Sequence, residues 1–172
     1  MKKVIISTIL ALALAIPLTV PVAAAPPGPT IVDVAIAVNE ETGLFNTLIA
    51  ALHAADPAVL KTLSGNGQFT VFAPTDAAFA KLELDADNIG DLDPGVLTDI
   101  LLYHVARGRR DSGDVLASSR LRMLKGGFLL QDGGVLTDNL GRTANIIVTD
   151  VEAANGIIHA IDTVVLPYDP AA

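Results

Sequence analysis

The sequence predicts an α+β domain, helical first and sheet-forming afterwards. Three observations carry that prediction. Apolar residues recur at helical spacing from Thr30 to Leu63, a single strand-like run, Phe69-Thr70-Val71-Phe72, interrupts the helical part, and beyond Gly108 short apolar runs alternate with glycine-rich turns.

The elements follow in order. Met1-Lys2-Lys3, the apolar run from Val4 to Val20 and the small residues Val22-Ala23-Ala24-Ala25 read as a secretory signal peptide over residues 1–24. Cleavage is expected after Ala24, because a cut after Ala25 would place Pro26 directly behind it. Pro17 interrupts the apolar run, which argues against a permanent transmembrane helix. Residues 25–29, Ala25-Pro26-Pro27-Gly28-Pro29, form a proline-rich tether, and the domain is expected over residues 30–168. Thr30 stands as an N-cap before Ile31, Val34, Ala35 and Val38, and Leu44 to Ala54 repeats the helical pattern. Asp56-Pro57 opens a third helix, which Ser64-Gly65-Asn66-Gly67 stops.

After the strand, Pro74 holds Ala73 extended, and Thr75 or Asp76 can cap the helix carrying Ala77, Ala78, Phe79 and Leu82. Asp93-Pro94 opens another helix, whose face Val96, Leu97, Ile100 and Leu101 runs into Tyr103-His104-Val105. The later runs, Leu121 to Leu124, Phe128 to Gln131, Ala144 to Val151 and Ile157 to Leu166, read as antiparallel strands.

Composition narrows the function. The chain has no cysteine, so it uses neither disulfides nor a lipid-bearing cysteine. Without Lys2 and Lys3, nine basic side chains face 19 acidic ones, which argues against nucleic acid as a partner. The end, Leu166-Pro167-Tyr168-Asp169-Pro170-Ala171-Ala172, carries no apolar tail, so no stable membrane insertion is expected once the signal is removed. The expected location is secreted, periplasmic or at the cell surface.

Three segments together carry a family resemblance. Phe69-Thr70-Val71-Phe72-Ala73-Pro74-Thr75-Asp76-Ala77-Ala78-Phe79 resembles the first box of fasciclin (FAS1) domains, Leu101-Leu102-Tyr103-His104-Val105 their Tyr-His motif, and Asn155 to Pro167 the second box. The resemblance spans roughly Thr30 to Pro167. It implies a wedge of two β-sheets, about seven strands in all, with a cap of several α-helices from the N-terminal half and the two boxes as neighbouring central strands. It also implies an extracellular adhesion or matrix-association module that acts by noncovalent binding, with no enzymatic activity and no cofactor. The implied partner is a cell-surface or matrix protein, or a polysaccharide, and the implied state is a monomer or weak self-association.

Individual residues then divide into two sets. Phe72, Pro74, Thr75, Asp76 and Phe79 of the first box and Asn155, Gly156, His159 and Asp162 of the second read as structural. A strand, a polar corner and a helix start could hold an anion, but Ala73-Pro74-Thr75-Asp76 has no glycine and brings its own negative charge, which favours a capped hinge. His104 is expected to be buried, with the Thr75-Asp76 corner as its partner in this family, and His159 to find a polar partner on an adjacent strand. His53 is expected at the surface. Three histidines without His-Glu-x-x-His spacing make no zinc site, and Asp85-Ala86-Asp87-Asn88-Ile89-Gly90 departs from a calcium loop at Ile89 and again at Val96.

The candidate binding residues implied by the resemblance are Tyr103 and His104 of the Tyr-His motif and the pair Asp150-Val151, which stands where some members show Asp-Ile. A second set comes from the charge pattern: Arg107, Arg109, Arg110, Arg120, Arg122 and Lys125 hold six of the nine basic residues that remain after the signal. If the strand of Arg120 and Arg122 lies beside the one leaving Val105, residues 107–125 form a patch for acidic polysaccharide, an alternative to protein adhesion. The competing reading is a solvated edge that discourages sheet-to-sheet aggregation. A more remote alternative, a hydrolase or metal-dependent enzyme, would need a pocket gathering His104, His159 and a carboxylate.

Overall fold

The structure, a computed structural model, describes residues 28–170. The expected signal peptide and most of the tether lie outside the described residues. Order of elements follows the sequence pattern closely through the helical part. Helix α1 (Ile31–Thr42) starts at a capping box in which Thr30 and Asp33 bond each other's backbone N–H, and it ends at Gly43, whose φ of +66° lies in the left-handed region. Helix α2 (Asn46–Ala54) and helix α3 (Pro57–Leu63) follow, the latter capped by Asp56 ahead of Pro57. Strand β1 (Phe69–Pro74) leads into helix α4 (Asp76–Ala80), a 3₁₀ turn at Ile89–Asp91 and helix α5 (Pro94–Tyr103), capped by Asp93.

Strand β2 (Val105–Arg107) precedes a short helix α6 (Ser112–Ala117) and then strands β3 (Arg120–Arg122), β4 (Phe128–Asp132), β5 (Val135–Thr137), β6 (Thr143–Ala153) and β7 (Gly156–Ile161). The strands form the order β2-β1-β7-β6-β5-β4-β3. The two boxes are neighbouring central strands: β1 and β7 run parallel from Phe69 opposite Gly156 to Pro74 opposite Ile161, and every residue of both is buried. All other neighbours are antiparallel.

Strand β6 serves two sheets. Its first residues, Thr143 to Asn145, pair with β5, its remainder from Ile146 pairs with β7, and the β7 ladder is bulged between Ile146 and Val148 and between Val148 and Val151. The ladder also returns on itself, because Ala106 next to β1 bridges Met123 beyond β3 and the Leu124 N–H donates to the Val105 carbonyl at 2.7 Å. That contact brings β2 and β3, the two ends of the order, to one seam.

Alternation along β1 divides the core in two. Val71 and Ala73 face the helices with Leu48, Leu52, Phe79 and Leu101, while Phe72 points into the wedge with Tyr103, Leu121, Leu129 and Leu136. Three features depart from the sequence expectation. Helix α6 occupies a region expected to be all strand, β5 adds a strand at Val135–Thr137, and β7 stops at Ile161 instead of running to Leu166. The apolar run beyond Ile161 is explained by packing on both sides, with Val164 in the helical core and Val165 in the wedge, and not by strand pairing.

Candidate functional site

The polar corner after β1 is closed by the protein itself. The Thr75 N–H donates to the Ile161 carbonyl at 3.2 Å and the Asp76 N–H to the Leu44 carbonyl at 2.9 Å, so these donors of a would-be anion site are occupied. Thr75 caps its own helix through Ala78. Asp76 does something else: its carboxylate accepts from the Thr47 N–H at 2.8 Å and from the Asn46 amide at 2.9 Å, which caps α2, a helix whose own N-cap Phe45 supplies no side-chain bond.

Both buried histidines are held by backbone. His104, 2% exposed, closes α5: its Nδ1 bonds the Ile100 carbonyl at 2.7 Å and its Nε2 accepts from the Val165 N–H at 3.2 Å. The Thr75-Asp76 corner is therefore not its partner, which corrects the expectation, and the acceptor role of Nε2 places the proton on Nδ1. Burial lowers its pKa from 6.5 to about 4, so the ring is neutral. His159 takes the opposite tautomer: Nδ1 accepts from the Asp150 N–H on the adjacent strand at 3.2 Å, and Nε2 donates to the Arg110 carbonyl at 3.0 Å. Its ring stacks on Phe72 with centroids 5.7 Å apart. His53 lies at the surface on α2.

Asn155 and Gly156 fasten three elements at one point. The Asn155 side chain accepts from the Ile31 N–H at 2.7 Å and donates to the Leu63 and Gly65 carbonyls at 2.6 and 2.9 Å. At Gly156 a Cβ would stand 2.1 Å from the Phe69 carbonyl oxygen, so only glycine lets β1 and β7 approach here. Asp162 accepts from the backbone and side-chain amides of Asn145 at 2.8 Å each, and Phe79 fills the helical core.

The resemblance-derived binding residues separate by exposure. Tyr103 is 0% exposed, its hydroxyl donating to the Phe128 carbonyl at 2.8 Å and accepting from the Asn139 N–H at 3.2 Å, so neither it nor His104 presents a surface. Asp150 is exposed, with φ +61°, and its carboxylate accepts from the Ser112 N–H at 2.7 Å and the Ser112 hydroxyl at 2.6 Å, bonds that hold its pKa below the usual range. Val151 is half-buried against the helical core.

The basic cluster also divides. Arg107, Arg110, Arg122 and Lys125 line one open groove of about 590 Å³ at the seam of β2 and β3. Arg109 turns away, donating to the Ala153 and Gly156 carbonyls at 2.7 and 3.2 Å and pairing with Glu152 at 3.3 Å. Arg120 lies over the Phe128 ring, 4.9 Å from its centroid. One residue that sequence reasoning missed is Asp138, a buried carboxylate that accepts from the Leu140, Arg142 and Leu166 N–H groups and pairs with the Arg142 guanidinium at 2.8 Å. Asp138-Asn139-Leu140-Gly141 looks like an ordinary turn, and only its position under the Leu166 segment gives it that role.

The chemistry available here is limited by these bonds. The two apolar cavities that His104 lines are about 30 and 20 Å³, which leaves no room for a substrate beside it. Among the described residues no three His, Asp or Glu side chains gather to hold a metal ion, and no helix is long and apolar enough to cross a membrane. At the Asp85 loop the carboxylate accepts from the Asp87 and Asn88 N–H groups, and Ile89 is buried.

Comparison with known proteins points one way. The sequence profile of the Fasciclin domain matches residues 43–167. Protein sll1483 of Synechocystis sp. is 41% identical over 145 residues, covering 80% of this chain and 73% of its own length. The cell surface glycolipoprotein MPB83 of Mycobacterium bovis is 33% identical over 127 residues, covering 72% of this chain and 56% of its own. Among solved structures, the FAS1 domain pair of the insect cell adhesion molecule Fasciclin I superposes with a TM-score of 0.63 at 23% identity, covering 80% of this chain and 51% of that one, a likeness of fold.

Proposed function

The chain belongs to the fasciclin domain family, and from that membership we propose that it is an exported adhesion or matrix-association module that acts by noncovalent binding. One observation carries the proposal: the polar side chains of the family motifs are engaged inside the fold. His104, His159, Asn155 and Asp76 each bond backbone groups of other elements, so the motifs build a scaffold and leave the chemistry of contact to the surface. The names of two relatives, a cell surface glycolipoprotein and a cell adhesion molecule, support the same setting. Export by a signal peptide over residues 1–24 would deliver the domain there.

The test is direct. Beads coated with residues 25–172 are offered to intact cells of the source organism and to its extracellular polymer, against beads coated with the heat-unfolded chain. Retention that needs the folded domain supports adhesion. Equal retention by both coatings refutes it.

A further inference from the structure

We infer that the groove at the β2–β3 seam is a binding site for the acid groups of an anionic polysaccharide, held by the guanidinium groups of Arg107, Arg110 and Arg122 with the Lys125 ammonium beside them. The inference deepens the adhesion reading and takes its extracellular setting from it. Its first support is assembly: the groove draws on two segments of chain that the fold brings together, where Ala106 bridges Met123 and the Leu124 N–H donates to the Val105 carbonyl. The positive charge is therefore a product of the fold.

The second support is preorganisation. The Arg110 N–H donates to the Thr70 hydroxyl at 2.9 Å, that hydroxyl donates to the Gly108 carbonyl at 2.8 Å, and the Arg110 carbonyl accepts from His159 at 3.0 Å. Both central strands thus hold the loop that carries Arg110. A backbone fixed on both sides has little ordering left to lose when a ligand binds.

The third support is charge. Among the described residues, none of Arg107, Arg110 and Arg122 has a carboxylate partner: Arg110 bonds the neutral Ser118 hydroxyl at 3.2 Å, while the ion pairs go to Arg109, Lys125 and Arg142. In a protein with more acidic than basic residues, three unpaired guanidinium groups on one groove stand out. Each offers a planar fork that matches a carboxylate or sulfate group in two-point contact.

The lining favours a sugar polymer over a protein. Its apolar members, Met123 and Leu124, are packed against the two cores, so the groove lacks an open pocket for the aromatic or aliphatic anchor that protein partners usually insert. A polymer bearing acid groups needs charge and access, which the groove supplies.

The experiment measures binding of residues 25–172 to alginate, dextran sulfate, neutral dextran and polyglutamate at low and at moderate salt. The variant Arg107→Gln plus Arg122→Gln is compared with Lys61→Gln plus Lys81→Gln, which removes the same charge far from the groove lining, and melting curves confirm that both are folded. Binding to alginate or dextran sulfate should fall at least about tenfold in the groove variant, weaken with salt, and change less than about twofold in the control. Preference for alginate identifies carboxylate as the acid group, and preference for dextran sulfate identifies sulfate. Equal losses in both variants, no binding to either acidic glycan at low salt, or tighter binding to polyglutamate would overturn the inference. If the glycans fail while coated beads still adhere, the groove assignment falls and the adhesion reading stands.

Discussion

Along β1 and β7, polar side chains meet the protein's own backbone, whereas at the β2–β3 seam Arg107 and Arg122 meet no carboxylate among the described residues. The two regions are only a strand apart, since β1 lies between β7 and β2. The difference follows from water. A buried imidazole or amide without a partner costs about 1–3 kcal/mol, so His104, His159 and Asn155 survive inside only because each is satisfied. A guanidinium group at the surface keeps its hydration and can stand unpaired until a ligand arrives. Substitutions should therefore act on stability in the first region and on binding in the second.

The largest effect is expected at Gly156. Gly156→Ala would force the Phe69 carbonyl away from a Cβ standing 2.1 Å from it, parting β1 from β7 at their first pair, and should cost more than about 4 kcal/mol in urea unfolding. A loss below about 1 kcal/mol would mean that the two strands can separate cheaply, and the contrast between spine and seam would weaken.

His104 comes next. His104→Ala leaves the Ile100 carbonyl and the Val165 N–H without a partner in a dry core and should cost about 2–4 kcal/mol. The same residue sets a pH dependence. Its folded pKa, about 4, lies below the ordinary 6.5, so between these values the unfolded chain binds a proton that the folded chain does not. Stability is complete above pH 6.5 and declines as pH falls toward about 4, by up to about 3 kcal/mol. The carboxylates of Asp33 and Asp150, both lowered from 3.8, act only below that window, so His104→Asn should flatten the curve between the two histidine values. An unchanged slope would assign the acid sensitivity to another group.

A smaller effect is expected at the corner. Asp76→Ala should cost about 1–2 kcal/mol by uncapping α2, and more than Thr75→Ala, whose bond to the Ala78 N–H is 3.4 Å long. The reverse order would show that the corner works for α4 alone. The smallest effect is expected at the seam, where Arg107→Gln plus Arg122→Gln should leave stability within about 0.5 kcal/mol of the parent chain. A larger loss would make these arginines part of the scaffold.

The helical third was legible because its signals are local. Thr30, Asp56-Pro57 and Asp93-Pro94 mark helix starts by bonds within three residues, and the structure places helices at all three. Helix α6 was missed because its start, Asp111 accepting from the Asp114 N–H, leads into only six residues, too few for an apolar period to register. The groove was half legible. Charge along the chain marked residues 107–125, but nothing local says that Arg109 turns back to the Ala153 carbonyl while Arg107 and Arg110 turn toward Arg122.

The sequence by itself determined the α+β class, the strand character of both boxes and the burial of His104, since each rests on apolar patterning or on short-range caps, whereas the place of the boxes as neighbouring central strands came from the family resemblance. Tertiary structure alone decided the partners. Val165 is 61 residues from His104, Asp76 is 29 from Thr47, and Met123 meets Ala106 across a helix and a strand. A hydrogen bond has no preference for which distant carbonyl or N–H satisfies it, so the choice of partner belongs to the packing of the whole domain.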